Sequence, residues 1–457
     1  MDRGRGNPRV WALALAVGIV LADSSIVVLA LPDIYRDLNT SVFGVTWVLV
    51  SFNLVMALAA VPAAMVARRV GPGRAAAVGL AIFAGAGLAC GISDQLSTLI
   101  IARSVQAVGG ALAVTAALEL LPATVGSERR ATVIWATAGA TGAALGPAVG
   151  GILTQLVSWQ SIFLIQVPLA LAAAVPILSV ARHEMSTRVI ERELRPTGRP
   201  HLWANVALAM VSASIAAALF LLVLLLIEGW RLSPIGAAII VSMMPLAAVL
   251  GSRLGGWVAD TRARAAAGAI LLAGGLGGLA LLPKAEVVLT LPPQALIGVG
   301  LSLVLSALTE TALSGRDPQA IHGGWTISAR HAGVVIGLLA LTPVFTHDIA
   351  VQQKDAINAG TSVILDSPIN PLLKLDLAKK ISEHLEGEDG KVPNLGHVFD
   401  PLPEDEGERT EVVQLRSELQ DQLDRGATHA FQPSFAIAAL IALLALIPIG
   451  LARRLDL

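Results

Sequence analysis

The sequence predicts an all-α membrane protein: twelve transmembrane helices in two six-helix bundles, with a small helical segment outside the membrane. Three observations predict it. Of 457 residues, 55% are hydrophobic and 14% are charged, where a soluble domain would carry about 25% charged residues. Twelve stretches are long and apolar enough to cross the ~30 Å hydrocarbon core of a bilayer as helices. Finally, arginines recur in every second loop and are nearly missing from the others.

Taken in order, the spans are 11–31, 44–66, 74–92, 97–120, 131–154, 161–181, 203–227, 235–257, 266–283, 290–313, 323–345 and 434–452. Arg3, Arg5 and Arg9 precede the first apolar run, as in a signal peptide. Asp23 interrupts that run and no small-residue cleavage site follows, so it reads as an uncleaved first span. Arg68, Arg69 and Arg74, then Arg129 and Arg130, the Arg182–Arg199 run, Arg262 and Arg264, Arg316, and Arg453 and Arg454 all fall on one side. The positive-inside rule puts that side, and both chain ends, in the cytoplasm of a cell with a plasma (inner) membrane.

The polar, basic stretch 182–202 divides the spans six and six, a common transporter plan. The predicted units are therefore 1–181, a six-helix bundle; 182–202, a cytoplasmic linker; and 203–345, the first five helices of a second bundle. Residues 346–432 form an external acidic segment, and 433–457 the last span and tail. The external segment carries 17 acidic and 8 basic residues, against 16 acidic and 24 basic elsewhere. Apolar residues recur at helical spacing over 371–386 and 408–425, which predicts a partly helical cap. A solvated acidic loop is the alternative. Span 2 ends in AAMVARRVGPGR (63–74) and span 8 in GGWVADTRAR (255–264), a small-residue helix end and arginine-rich turn at corresponding places in the two halves.

Several function classes are excluded or disfavoured. The basic residues lie in short loops between apolar spans and make no nucleic-acid patch. A single cysteine, Cys90, permits no disulfide framework, and no His/Cys cluster has metal-ligand spacing. There is no phosphate-binding glycine loop with Lys-Ser/Thr and no nucleophile–base constellation, so the chain reads as no enzyme and needs no bound cofactor.

Charges inside spans are costly and mark function by default. Asp23 lies near the middle of span 1, and burial in lipid favours the neutral form of a carboxyl, which lets it take up and release a proton. The alternative is a structural Asp bonded to Ser24 and Ser25. Arg103 lies early in span 4 with Gln106 one turn on. It keeps its charge, so it must be paired or wetted; a snorkelling arginine is the alternative. Glu119, Glu310, Arg330 and His331 sit nearer the inner ends of their spans, and Glu310 and Arg330 are close enough in depth to pair as an inner gate. Glu228, at the outer end of span 7, and Glu119 are candidates for the substrate cavity. Asp260 and Arg262 lie in the turn after span 8, where a carboxylate can cap a helix and hold one state closed. Gly142, Gly146 and Gly150 form a bare stripe on span 5, with Pro147 as a bend and Gly151 beside it. Such a stripe lets another backbone approach closely, and we expect it to pack against the opposite half.

Together these segments resemble the major facilitator superfamily, and within it the drug:proton antiporter family of the multidrug- and quinolone-exporter type, including actinobacterial members. LADSSIVVLALP (21–32) resembles the first-span signature, with Asp23 at its acidic position. LIIARSVQAVGGA (99–111) is similar to the fourth-span motif through Arg103, Gln106 and Gly109. GAALGPAVGGIL (142–153) is similar to the fifth-span antiporter motif through Gly142, Gly146, Pro147, Gly150 and Gly151. SWQSIFLIQVP (158–168), GGWVADTRAR and ISARHAGVVIG (327–337, around Arg330 and Gly333) resemble later signatures. Ala63 and Ala67 replace the glycine and acid of the first loop signature, Gln166 replaces an Asn, and the chain has twelve spans where many relatives have fourteen.

The resemblance implies a rocker-switch antiporter that exports drugs, powered by the proton gradient. It also implies proton coupling at Asp23, tuned by Arg103 and Gln106. The expected partners are the lipid bilayer and a small amphipathic or lipid-like substrate, with an external partner for 346–432; the carrier itself is expected to be a monomer. Two further readings stand beside this one. The fold could export an envelope lipid or native metabolite with the help of the external segment, or it could be a non-transporting membrane scaffold or sensor.

Overall fold

In the computed structural model, residues 7–184, 198–316, 318–366 and 406–452 are described, with isolated positions 374, 377, 379, 380 and 399. The helix expected at 371–386 and most of the linker 182–202 lie outside them. No strand occurs among the described residues.

Twelve helices are long and apolar enough to cross a membrane: α1 (Pro8–Asp37), α2 (Val42–Val70), α3 (Pro72–Gly91), α4 (Leu96–Val125), α5 (Arg130–Leu156), α6 (Ser161–Leu178), α7 (Leu202–Gly229), α8 (Pro234–Gly255), α9 (Thr261–Ala280), α10 (Val287–Leu313), α11 (Gln319–Ile349) and α12 (Arg409–Leu451). Helix is the only open-chain solution in lipid, because it satisfies every backbone N–H and carbonyl internally. Short polar residues start these helices. Ser41 accepts from Gly44 N, Ser233 from Gly236 N, and Asp260 from Arg262 N, each covering a backbone donor that the first turn leaves bare. The turn from α2 to α3 is a single residue, Gly71, at φ +97°, a conformation glycine adopts without a Cβ clash.

An even number of spans brings the first helix in and the last helix out on one face, here termed the terminal face; the opposite is the far face. On the far face α11 and α12 run on past their apolar parts. One helix is continuous over Gln319–Asp366 and another over Glu406–Leu444. The helix expected at 408–425 is thus the first part of this second rod, not a separate cap. Its polar stretch docks on the end of α7, where Trp230 Nε1 donates to Thr428 Oγ1 at 3.0 Å and Arg231 donates to Gln420 Oε1. Burial pushes the Arg231 guanidinium below its ordinary value, and the Asp424 carboxylate opposes that. Gln432 Nε2 also reaches the Leu282 carbonyl at 2.9 Å, and Phe345, Phe431 and Phe435 stack where α11 meets α12.

The two sets of six helices repeat one packing scheme. Gly79 of α3 and Gly109 of α4 leave room for each other's backbones, and Gly268 of α9 and Gly300 of α10 do the same. Gly142, Gly146 and Gly150 of α5 seat on Gly18, Ala22 and Ile26 of α1; Gly333 and Gly337 of α11 seat on Ala209 and Ala213 of α7. This corrects the expectation that the α5 stripe packs on the opposite half. Only Gly151 crosses over, toward Pro234 and Ala238 of α8. Pro147 sits inside an unbroken helix. Between the sets, α2 lies along α11 and α5 meets α8.

A Cβ at Gly142 would fall 2.9 Å from the Gly18 Cα and closer still to its carbonyl. Gly142→Val is therefore expected to cost about 1–3 kcal/mol by overpacking and to lower the thermal midpoint of detergent-purified protein. Gly85→Ala, where no atom lies within 4 Å, should leave the midpoint unchanged or raise it slightly. Equal midpoints for Gly142→Val and wild type would refute the seam.

Candidate functional site

The helix packing brings three polar side chains of the first six helices together in an apolar interior. Asp23 comes from α1, Arg103 and Gln106 from α4, and all three are fully buried. Arg103 Nη1 donates to Asp23 Oδ2 and, at 2.8 Å, to Gln106 Oε1. Arg103 Nε donates to the Val48 carbonyl of α2 at 3.3 Å. The guanidinium also lies 4.3 Å from the Phe52 ring centroid and 5.5 Å from that of Phe163, so its faces meet π clouds, which attract cations. The snorkelling alternative for Arg103 is thereby ruled out. Cys90 Sγ donates to Gln106 Oε1 at 3.8 Å.

The cluster is incompletely satisfied. Asp23 Oδ1, Arg103 Nη2 and Gln106 Nε2 are buried without a hydrogen-bond partner among the described residues. Buried polar atoms of this kind are rare and call for an explanation. Loss of the carboxylate charge would leave the arginine with Gln106, Val48 and two rings, a much weaker set of partners for a full positive charge.

A second chain of contacts runs from the pair toward α11. Asn53, fully buried on α2, accepts from Ser24 Oγ at 3.4 Å and from His331 Nδ1 at 2.6 Å through the same Oδ1. It donates from Nδ2 to the Leu49 carbonyl at 2.8 Å. Phe52 stands between Arg103 and His331, whose ring meets it edge-on at 6.4 Å. Ser24 is the neighbour of Asp23, and Asn53 of Phe52. Through those backbone neighbours the buried pair touches the second set of six helices. Sequence reading missed Phe52, Asn53 and Phe163, which look like ordinary span residues. Their only sequence signal is Asn53, a lone amide within an apolar helix.

The other expected site residues divide between the two faces. Glu228 pairs on the far face with Arg36 of α1 at 2.6 Å, and Arg36 also binds Asp33 at 3.2 Å. Beside it, Ile235 N donates to Gln155 Oε1 at 2.9 Å. Toward the terminal face, Glu119 pairs with Arg68 at 3.9 Å. Both candidate cavity acids are thus engaged in ion pairs. Glu310 pairs with Arg264 of α9 and not with Arg330, which overturns the expected Glu310–Arg330 gate: Arg264, at the start of the adjacent α9, reaches the end of α10 first. Asp260 caps α9 through Arg262 N, and the Arg262 guanidinium lies near Gly450 of α12. No group of His, Cys, Asp and Glu suited to a metal occurs among the described residues.

Twelve apolar helices in two similarly packed sets, with a buried acid–arginine pair wired to the seam between them, define a polytopic membrane transporter. The chain belongs to the Major Facilitator Superfamily, whose model matches residues 13–341. It is 36% identical over 191 residues to the tetracenomycin C resistance and export protein of Streptomyces glaucescens, covering 41% of this chain and 36% of that one. It is 35% identical over 205 residues to a methylenomycin A resistance protein of Bacillus subtilis, covering 44% and 43%. Thus the match spans less than half the length of these relatives. A bacterial homologue of the human lysosomal transporter Spinster, solved inward-facing and unoccupied, shares the fold at TM-score 0.63 and 15% identity, over 98% of this chain and 99% of that one.

Removing one partner of a buried ion pair strands the other charge, at about 3–5 kcal/mol. Arg103→Ala should therefore unfold at a clearly lower temperature than wild type. The double variant Asp23→Asn/Arg103→Gln, with neither charge, should regain much of the loss. If the single variant melts no lower than the double, the pair is not a linked unit.

Proposed function

We propose that the chain is a proton-coupled antiporter that exports small amphipathic compounds by alternating access. The observation that carries this reading is the Asp23–Arg103 pair, fully buried and linked through Phe52 and Asn53 to His331 of α11. The resistance and export functions named for the relatives favour outward transport. The arginine distribution favours a cytoplasmic terminal face in the plasma membrane, with 346–432 outside.

Each step follows from which charges are paired. A proton arriving from the outer side neutralises Asp23 and frees Arg103 from its strongest partner. The guanidinium then settles on Gln106, the Val48 carbonyl and Phe52, and any shift of Phe52 or Asn53 is felt at His331. Because α2 and α11 are the long contact between the halves, a change there biases which face is open. Release of the proton to the cytoplasm restores the pair. The proton gradient is the energy source, so no bound cofactor is required.

The test is substrate-driven proton movement in inverted membrane vesicles across a compound panel. Wild type should respond to a subset of compounds, and Asp23→Asn, matched for expression, should lose at least about tenfold of that response, the loss of a full general proton acceptor. Equal proton movement in the two would sink the assignment of Asp23.

A further inference from the structure

Among the described ionisable residues within the spans, four carboxylates are matched to cations: Asp23 to Arg103, Glu119 to Arg68, Glu228 to Arg36 and Glu310 to Arg264. Asp348, near the far end of α11, has an oxygen with no hydrogen-bond partner among the described residues, but it lies roughly 27 Å along the helix from Arg330. Arg330 stands apart. It lies roughly 16 Å along α11 from Gln319, near the middle of a ~30 Å bilayer core, and no hydrogen bond or ion pair joins it to any described residue.

Its position on the helix points inward. Trp325 and Ile336, 44% and 61% exposed, mark the lipid side of α11, and Arg330 lies about 140° and about 120° from them at 100° per residue. Gly333 and Gly337 seat on α7, while Gly324 and His331 face α2. Arg330 falls on the arc between those contacts, half-buried. The arginine keeps its charge at any physiological pH, and no carboxylate of the core is left over to balance it. A fixed, unbalanced cation at mid-depth, beside the seam between the two sets of helices, is a receptor for an anion.

We propose that Arg330 binds an acidic group of the transported compound, so that the substrates of this chain are amphipathic anions such as aryl-alkyl carboxylates. This rests on the transporter reading above and narrows its substrate class. An apolar body suits a chain with 4% aromatic residues, which offers little for compact organic cations, and a guanidinium offers a carboxylate two parallel N–H donors.

The experiment uses the full chain purified in detergent and matched pairs of arylalkanoic acids and their primary amides, at a pH well above the pKa of the free acids. Binding is read as the concentration that half-maximally raises the thermal midpoint. Wild type should respond to the acids at concentrations at least about tenfold lower than to the amides, the ratio a charge-assisted bond commands. Arg330→Gln should respond to acid and amide alike, and Arg330→Lys should keep a preference for the acid. Arg330→Met gives the same comparison if the Gln variant does not fold. No acid preference in wild type, or an undiminished one in the charge-removed variants, overturns the proposal; the latter would make Arg330 a structural cation. The assay involves neither gradient nor transport, so its failure leaves proton coupling at Asp23 intact, and equal proton flux in Asp23→Asn leaves this assignment intact.

Discussion

An ion pair with no exposure at all is a severe constraint on a protein in lipid. Stripping Asp23 and Arg103 of water costs several kcal/mol per ion, and only a close, well-shaped contact offsets it. That need fixes α1 against α4, because the pair must meet. It also fixes α2 and α6, which bring the Val48 carbonyl, Phe52 and Phe163 to the guanidinium. A hydrophobic replacement of similar volume would hold these helices together as well or better. The pair is therefore weakly explained by stability, and the proton-coupled reading proposed above, in which one charge disappears, accounts for it better.

Close helix packing makes such a state change transmissible. In lipid, apolar side chains gain little by meeting each other, and association depends on backbones approaching over small residues. The α1–α5 and α7–α11 seams use the same device at equivalent places, as do α3–α4 and α9–α10. Each set of six is thus tight within itself. A seam with no side chains to interdigitate has few ways to deform, so displacement at Phe52 or Asn53 moves a helix and not merely a rotamer.

How much of this was legible in the sequence follows from what each signal reports. Hydropathy and length locate spans because the bilayer imposes both, and the twelve spans match within a few residues at most ends. Residue chemistry picked out Asp23, Arg103 and Gln106, since charges in lipid have few innocent explanations. Partnership was the hidden part. The α5 glycine stripe announces a close neighbour but not whether that neighbour is α1 or a helix of the other half. Glu310 and Arg330 were expected at compatible depths in adjacent spans, but Glu310 sits one turn from the end of α10 and Arg330 about three turns into α11, and Arg264 takes the carboxylate. Depth is written only roughly in one helix's sequence; rotation and adjacency are properties of the assembled bundle. Phe52 and Asn53 were missed for the same reason, their role being defined by what stands beside them. The long rods beyond α11 and α12 were hidden by composition, which marks a polar segment as outside the membrane but says nothing of its continuity with the span.

The placement of the remaining ion pairs bears on how a carrier of this build could open. On the far face the Arg36–Glu228 bridge joins α1 to α7, and so crosses between the two sets of helices; its arginine side chain is 52% exposed. A bridge that wet is worth about 0–1 kcal/mol and is cheaply broken. Toward the terminal face the pairs Arg68–Glu119 and Arg264–Glu310 each stay within one set, so separation of the sets need not break them. What crosses there is packing of Gly323 and Gly324 against Leu118 and Ala60, and the hydrogen bond from Thr132 to Gln319 at 3.3 Å. Among the ion pairs of the described residues, no fully buried one joins the two sets at either face. Among the described residues, the fully buried pair Asp23–Arg103 lies in the middle, inside the first set, where the proposed change of its charge state would act on both faces. A small electrostatic change can tip a balance only if the alternatives are nearly equal in free energy, and a wet bridge on one face with small-residue packing on the other suits the alternating-access reading proposed above.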